Sequence, residues 1–134
     1  MNSIKKRALL VSLALGIILS LAGCLNSSSK PLTLDIMSFN IRYGTAKDGD
    51  NHWEKRTELV VDVFRDHAPQ IVGIQEALDF QIEEIKKALP QYDHLGIGRD
   101  PNSTGEYAAI LYLKDRFEVL ESDTFWLSDT PEVR

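Results

Sequence analysis

The sequence predicts a mixed α/β fold in which strands and helices alternate at first and strands predominate later. Two observations support this prediction. Two segments place apolar residues at helical spacing, and the segments around them are short apolar runs with alternating or β-branched residues. A single cysteine, Cys24, excludes an intramolecular disulfide, so a hydrophobic core must hold such a fold together.

A first strand is predicted over 32–39, where apolar and polar residues alternate. A helix is predicted over 53–67, because apolar residues there recur every three or four positions and Pro69 follows. Its apolar face is predicted to consist of Leu59, Val60, Val63 and Phe64.

A short apolar run at 71–74 is typical of a strand that is buried on both faces. A second amphipathic helix is predicted over 78–89, where Leu78, Ile82, Ile85 and Leu89 form one stripe. The remaining predictions are a short strand at 92–95, a loop over 96–105, a strand at 108–113 that continues through 117–121, and a further strand from 125 to 127.

The first residues are typical of an export signal. Residues 1–23 combine a basic start with a short apolar run, and Leu21-Ala22-Gly23-Cys24 resembles the lipobox of a bacterial lipoprotein. This resemblance implies a signal peptide over 1–23, lipidation of Cys24, and a flexible tether over 24–31. We therefore expect an extracytoplasmic, lipid-anchored protein, at the outer membrane where the host has two membranes. The alternative is a plain secretory signal or a weak membrane anchor.

The charge balance disfavours non-specific binding to nucleic acid. Three of the fifteen basic residues lie in the predicted signal, so the remainder carries twelve basic against twenty acidic residues. Such a surface repels polyanions on average, although a bound cation could still mediate a local phosphate contact. No protein partner is predicted.

Two polar side chains stand at the ends of apolar strands, where packing gives them no role. Asn40 ends the first predicted strand, and Glu76 follows the second. Strands that leave a sheet at one edge bring such residues together. One carboxylate and one amide oxygen suit Mg²⁺, which keeps several waters and takes phosphate oxygens as further ligands. The alternatives are a turn-forming role for Asn40 and a helix N-terminal charge for Glu76.

The ordered motifs Phe-Asn-Ile-Arg-Tyr at 39–43 and Gln-Glu at 75–76 resemble the endonuclease/exonuclease/phosphatase superfamily. The resemblance covers residues 32–134 and includes Gly-Glu-Tyr at 105–107. It implies a DNase-I-like four-layer α/β sandwich, of which this chain would be roughly the first half. It also implies a phosphate-ester substrate hydrolysed with Mg²⁺ or Mn²⁺.

In this family the equivalents of Asn40 and Glu76 form the metal site, and Glu106 resembles a catalytic glutamate that orients a histidine. Arg42 and Arg99 are candidate phosphate contacts, since a guanidinium can donate two parallel bonds to phosphate. The alternative for Glu106, Arg42 and Arg99 is a role in surface charge or salt bridges.

The family's later motifs are an Asp-x-Asn element, a mid-domain histidine and a terminal Asp-His pair. The resemblance places them after the segments quoted above, and residues 108–134 contain none of them. We therefore expect an incomplete domain that is inactive alone, derived from a phosphodiester or phosphomonoester hydrolase. Nucleic acid, lipid headgroups and sugar or inositol phosphates remain open as substrates. The alternative is a non-catalytic envelope lipoprotein that binds a ligand through a degenerate site.

Overall fold

The computed structural model describes residues 31–133, of which residues 34–133 form one compact unit. The predicted signal peptide, Cys24 and nearly all of the predicted tether lie outside the described residues. The strands are β1 (Ile36–Asn40), β2 (Ile71–Ala77), β3 (Tyr92–Leu95), β4 (Gly98–Asp100) and β5 (Thr104–Leu113). The helices are α1 (Trp53–His67) and α2 (Asp79–Ala88), with short 3-10 turns at Gly49–Asn51 and Pro101–Ser103.

The strands form one mixed sheet in the order β1-β2-β5-β3, and β4 pairs with one end of β5. Strands β1 and β2 are parallel and are connected through α1. Strand β5 runs antiparallel to both β2 and β3, so β1, β2 and β3 all point the same way. Because parallel strands end at a common edge, residues that follow β1 and β2 meet there.

Both helices contribute to the single core on one face of the sheet. Fully buried side chains come from α1, from α2 and from the sheet residues that face them; they include Trp53, Val61, Phe64, Val72, Ile74, Ile82, Ile85 and Leu111. The Phe64 ring meets the Tyr92 ring edge-on, with 5.6 Å between centroids. The mixed α/β class predicted from the sequence is confirmed, and the described residues provide one sheet and one helical layer.

No helix among the described residues covers the opposite face of the sheet, and only part of the irregular segment after Leu113 lies beside it. Ile36 of β1 is 68% exposed and Ile110 of β5 is 46% exposed. The prediction that residues 71–74 are buried on both faces is therefore wrong here: Val72 and Ile74 are buried against the helices, whereas Ile71 is half-buried. The continuous apolar run indicated two apolar faces, but helices cover only one of them in the described residues.

Several predicted boundaries need correction. Strand β1 begins at Ile36, not at residue 32, since it pairs with β2 only from there. The predicted loop over 96–105 contains strand β4, and β5 begins at Thr104 instead of residue 108. The turn between β4 and β5 places Asn102 and Ser103 at φ 62° and 58°. Two such residues in succession suit a tight hairpin, so turn-rich sequence concealed a short strand pair.

The strands predicted at 117–121 and 125–127 are not formed. The described residues after Leu113 contain turns and irregular backbone, and none belongs to a strand. Their side chains are largely exposed, with Leu120 at 89% and Leu127 at 96%. Alternating polarity produces a strand only where a neighbouring strand accepts its backbone hydrogen bonds, and this segment pairs with no strand of the described sheet.

One residue on the predicted apolar face of α1 was also misplaced. Leu59 is 67% exposed, whereas Val61, which was not assigned to that face, is completely buried. The buried stripe of α1 begins at Trp53, whose indole Nε1 donates to Glu84 of α2 at 2.7 Å. Burial of Trp53, Val61 and Phe64 on one side of α1 leaves Leu59 on the solvent side.

Candidate functional site

The two predicted metal ligands lie in direct contact at the end of the parallel strand pair. The register of β1 and β2 places Asn40 opposite Gln75, and the Ile41 amide donates to the Gln75 carbonyl at 3.1 Å. From this position the Asn40 Nδ2 donates to Glu76 Oε1 at 2.8 Å. The structure thus brings together two side chains that are 36 residues apart in sequence.

A bulge in β2 places Glu76 beside Asn40. Ile74 is opposite Ala109 and Ala77 is opposite Tyr107, so β2 has one residue more than β5 between these pairs. Within the bulge Glu76 adopts φ 57°, a left-handed conformation that is uncommon for a residue with a side chain. Bulges redirect side chains and are frequent beside active sites.

The backbone after β1 completes the contacts around this pair. The Arg42 amide donates to Asn40 Oδ1 at 2.9 Å, and the Tyr43 amide donates to Glu76 Oε2 at 3.2 Å. These bonds fix the orientation of the Asn40 amide, since a carboxylate can only accept and a backbone N–H can only donate. Arg42 itself lies at φ 65°.

The Glu76 carboxylate is anionic and accessible at neutral pH. The hydrogen bond from Asn40, together with that from the Tyr43 amide, lowers the pKa of Glu76 below its ordinary value. Its side chain is 36% exposed. Each carboxylate oxygen also has more than one lone pair, so both retain capacity beyond these two bonds.

These groups fit a hard divalent cation that keeps most of its waters. Within residues 31–133 no group of three or more His, Cys, Asp or Glu side chains is arranged to hold a metal ion. A cation here would therefore depend on the single carboxylate of Glu76, with the Asn40 amide adjacent. Mg²⁺ binds in this way, through one or two carboxylates, waters and substrate phosphate oxygens.

Arg42 lies at the same site, but its guanidinium is occupied. Its Nε and Nη2 donate to the two carboxylate oxygens of Asp48, both at 2.9 Å, and Nη1 is 3.9 Å from Glu76 Oε2. The pKa of Asp48 is lowered chiefly by this hydrogen bonding. Asp48 is a residue that the sequence did not single out for the site, since an acidic loop residue carries no distinguishing pattern.

The other predicted pair, Arg99 and Glu106, is brought together on the β4–β5 hairpin. Arg99 Nη1 donates to Glu106 Oε2, and Arg99 Nε lies 3.8 Å from Asp100. Their strands place them near the bulge, because Tyr107 pairs with both Gly98 and Ala77. The structure thus joins Arg99 to Glu106, and their roles toward phosphate and histidine stay predictions.

Two residues that contact the backbone of this site were missed from the sequence. Arg56 of α1 and Gln81 of α2 both donate to the carbonyl of Arg42. Each stands in an amphipathic helix, where one more polar residue is unremarkable. Only the packing of both helices against the end of β1 distinguishes them.

An open groove of about 480 Å³ lies on the helix side of Asn40. Its lining includes Asn40, Arg42, Asp48 and Arg56, but not Glu76. The groove therefore adjoins the Asn40–Glu76 pair without enclosing it.

No helix in the described part of the chain is both long and apolar enough to cross a bilayer.

Solved structures resemble this fold over about three quarters of the chain. An endonuclease/exonuclease/phosphatase from Bacteroides vulgatus shares 43% identity, over 74% of this chain and 38% of that chain, with a TM-score of 0.70. A family protein from Bacteroides thetaiotaomicron shares 36% identity, over 78% and 40%, with a TM-score of 0.74. A mannosyl-6-phosphatase from the same species shares 36% identity, over 75% and 39%, with a TM-score of 0.71.

No family model and no curated protein matches the sequence. The chain spans about two fifths of the length of the solved structures that it resembles. The described residues are therefore part of an endonuclease/exonuclease/phosphatase domain of the DNase-I-like type. This confirms the resemblance that the motifs around Asn40 and Glu76 indicated.

Proposed function

We propose that the protein hydrolyses phosphate esters with the help of a divalent cation bound at Glu76. The observation that carries the proposal is the contact between Glu76 and Asn40 at the end of two parallel strands, supported by the Tyr43 amide. A carboxylate that is ionised, oriented and partly exposed at a strand end has the properties of a ligand for Mg²⁺ or Mn²⁺.

Each residue of the candidate site has a separate role in this proposal. Glu76 would hold the cation, with Asn40 adjacent to it and orienting its carboxylate. The bound cation supplies charge stabilisation to phosphate oxygens. Arg99 holds the Glu106 carboxylate in place, and Glu106 would orient a histidine that acts on water. Arg42 would contact phosphate if its guanidinium exchanged Asp48 for the substrate.

Among possible substrates we favour a small phosphomonoester. A similar solved structure is a mannosyl-6-phosphatase, which supports a sugar phosphate ahead of a polymer. The excess of acidic residues also disfavours long nucleic acid. Nucleic acid and lipid headgroups are the competing substrates that the assay must include.

The test measures the rate of phosphate-ester hydrolysis, in the presence of Mg²⁺ or Mn²⁺, by the complete protein that contains these residues. Substrates would be p-nitrophenyl phosphate, bis-p-nitrophenyl phosphate, mannose 6-phosphate, single-stranded DNA and sphingomyelin. We expect Glu76→Gln to remove activity, since the amide keeps the shape of the side chain but not its charge. Glu83→Gln, which alters an exposed glutamate paired with Lys86 on α2, is the control and retains activity.

Full activity of Glu76→Gln would refute the metal assignment. Mn²⁺ binding that depends on Glu76, without hydrolysis of any of these substrates, would instead favour the non-catalytic ligand-binding alternative.

We further propose that the protein is exported and anchored to a membrane by lipid on Cys24. The lipobox-like residues 21–24 support this, as does the position of the single cysteine. Cys24→Ser should shift the protein from the membrane fraction to the soluble fraction and abolish palmitate incorporation, whereas Ser27→Ala should change neither. Membrane association that survives Cys24→Ser would refute the anchor.

A further inference from the structure

The carbonyl of Arg42 is held between two helices. Gln81 Nε2 of α2 donates to it at 3.0 Å, and Arg56 Nη2 of α1 donates to it at 3.0 Å. Arg56 also bonds the carbonyls of Ile41 and Asn51, so its guanidinium is committed to backbone. One peptide group beside the site thus receives two side-chain donors from elements far apart in sequence.

The orientation of this peptide group determines what the site side chains contact. Arg42 adopts φ 65°, a conformation that L residues rarely adopt without support. With the carbonyl turned toward the helices, the Tyr43 amide reaches Glu76 Oε2. The nitrogen of Tyr43 belongs to the same peptide group as the held carbonyl. Hence a bond on one side of that group fixes the donor on the other side.

Gln81 is built into the structure in a single orientation. It is completely buried, and its Oε1 accepts from the Leu78 amide at 2.9 Å while its Nε2 donates to Arg42. Exchanging the amide atoms would place donor against donor and acceptor against acceptor. The residue opposite it is Gly44, where a Cβ would lie 2.6 Å from Gln81 Cδ.

The two bonds of Gln81 act on different parts of the structure. The bond to Leu78 satisfies an amide at the start of α2, as a residue at the third helical position often does. The bond of Nε2 satisfies a buried donor, and its acceptor is a carbonyl 39 residues away. The second bond runs to the peptide group whose nitrogen serves Glu76.

We propose that Gln81 is a positioning residue for the metal site, because its Nε2 holds the Arg42–Tyr43 peptide group so that the Tyr43 amide stays on Glu76. Gln81 touches neither the cation nor the substrate. The inference rests on the proposed function in so far as Glu76 is taken to bind the cation. The contact from Gln81 to the peptide group stands independently of that assignment.

The chain offers a matched control for Gln81. Gln70 is also a buried glutamine, 8% exposed, and precedes β2 at its far end from the site. Its Nε2 lies 3.5 Å from Asp35 Oδ2, and it contacts no residue of the site. Gln81→Met and Gln70→Met therefore make the same chemical change at two buried positions, only one of which adjoins Arg42.

The experiment measures two quantities in the full-length protein: the Mn²⁺ dissociation constant, and the exchange rate of the Tyr43 amide hydrogen by NMR. For Gln81→Met we expect Mn²⁺ to bind roughly tenfold more weakly, as is typical when a supporting hydrogen bond of a metal ligand is lost. The Tyr43 amide should exchange faster. Gln70→Met should leave both quantities at the wild-type value, even if its free energy of unfolding falls as much.

Unchanged Mn²⁺ affinity and unchanged Tyr43 exchange in Gln81→Met would overturn the proposal and reduce Gln81 to a helix-start residue. If Gln81→Met does not fold, Gln81→Asn replaces it, since the shorter amide cannot reach both Leu78 and Arg42.

Failure of the proposed function gives a different result. In that case Mn²⁺ affinity would be insensitive to Glu76→Gln in an otherwise wild-type protein, while Tyr43 exchange would still decide the role of Gln81.

Discussion

Replacing Gly44 by alanine tests the packing beneath the site more directly than any change to the site itself. Gly44 follows Tyr43 and is buried against α2. An added Cβ would lie 2.6 Å from Gln81 Cδ and 2.6 Å from Phe80 Cζ. Non-bonded carbons pack at roughly 3.5–4.0 Å, so both neighbours are about 1 Å too close.

The magnitude follows from which neighbour can move. Phe80 is 39% exposed and can turn toward solvent, whereas Gln81 is completely buried. Displacing Gln81 breaks its bonds to Leu78 and Arg42, each of which is worth about 1 kcal/mol. Alanine recovers roughly 0.5 kcal/mol by restricting the unfolded chain. We therefore expect Gly44→Ala to lower the free energy of unfolding by about 1.5 kcal/mol.

Gly49→Ala provides a contrast with a different cause. A Cβ at Gly49 meets nothing within 4 Å, but its φ of +56° is strained for alanine. The expected cost is about 1 kcal/mol, and it arises entirely from the backbone. Gly44→Ala thus measures the cost of a steric clash, whereas Gly49→Ala measures the cost of a strained backbone conformation.

Urea unfolding of the full-length protein measures both variants, each alone and combined with Gln81→Ala. Gln81→Ala removes the clashing group, so Gly44→Ala should cost at least ~1 kcal/mol less in that background. Gly49→Ala should be additive with Gln81→Ala within about 0.5 kcal/mol. If Gly44→Ala were also additive with Gln81→Ala, the account of the contact between Gly44 and Gln81 would be wrong.

Three further predictions concern the core, the loss of stability at alkaline pH, and an ion pair at the surface. Phe64→Ala should lower the free energy of unfolding by about 3–5 kcal/mol, since the ring is buried against Tyr92. Leu59→Ala should change it by less than ~0.5 kcal/mol, because Leu59 is exposed. Similar losses for the two variants in urea titrations would contradict the assigned buried face of α1. Burial raises the pKa of Tyr92 above its value in the unfolded chain, which is about 10. The stability that the protonated Tyr92 side chain contributes is therefore complete below about pH 10 and is lost as the pH rises through the pKa of the folded state. The Tm difference between wild type and Tyr92→Phe should therefore narrow above about pH 10, and a constant difference would refute this. Asp48→Asn, which breaks the ion pair with Arg42, should lower the free energy of unfolding in low-salt urea titrations and lower it less at high salt, because salt screens the interaction. A loss that does not change with salt would show that Asp48 holds the loop by other contacts.

The helices were predictable because their apolar periodicity agrees with how they pack. Helix α1 has the bounds that the sequence predicted, Trp53–His67. What periodicity could not supply was the rotation of that helix. Leu59 and Val61 are both apolar, and the packing of α1 into the core decides which of them is buried.

The site was predictable where a residue contradicts its surroundings and unpredictable where it does not. Asn40 and Glu76 could be predicted as site residues because they are polar residues at the ends of apolar strands. The parallel register of β1 and β2 brings them together. Gln81 stands among other polar residues of an amphipathic helix, so its sequence neighbours give no sign of burial. Its role depends on a contact with Arg42 across 39 residues, which only the packed fold reveals.

Strained backbone separates the site from the rest of the described chain. Five residues other than glycine have positive φ among residues 31–133. Ala68 ends helix α1 in the left-handed conformation usual for that position, and Asn102 and Ser103 form the tight β4–β5 turn.

The other two, Arg42 and Glu76, serve no helix end or hairpin turn, and they are the residues whose backbone and side chain meet at the candidate metal site. Such conformations persist only where surrounding contacts hold them. The bulge in β2 holds Glu76, and Arg56 together with Gln81 holds Arg42. The fold therefore fixes both sides of the contact between Tyr43 and Glu76 before any cation or substrate binds. Relaxation on either side should weaken the site without unfolding the sheet.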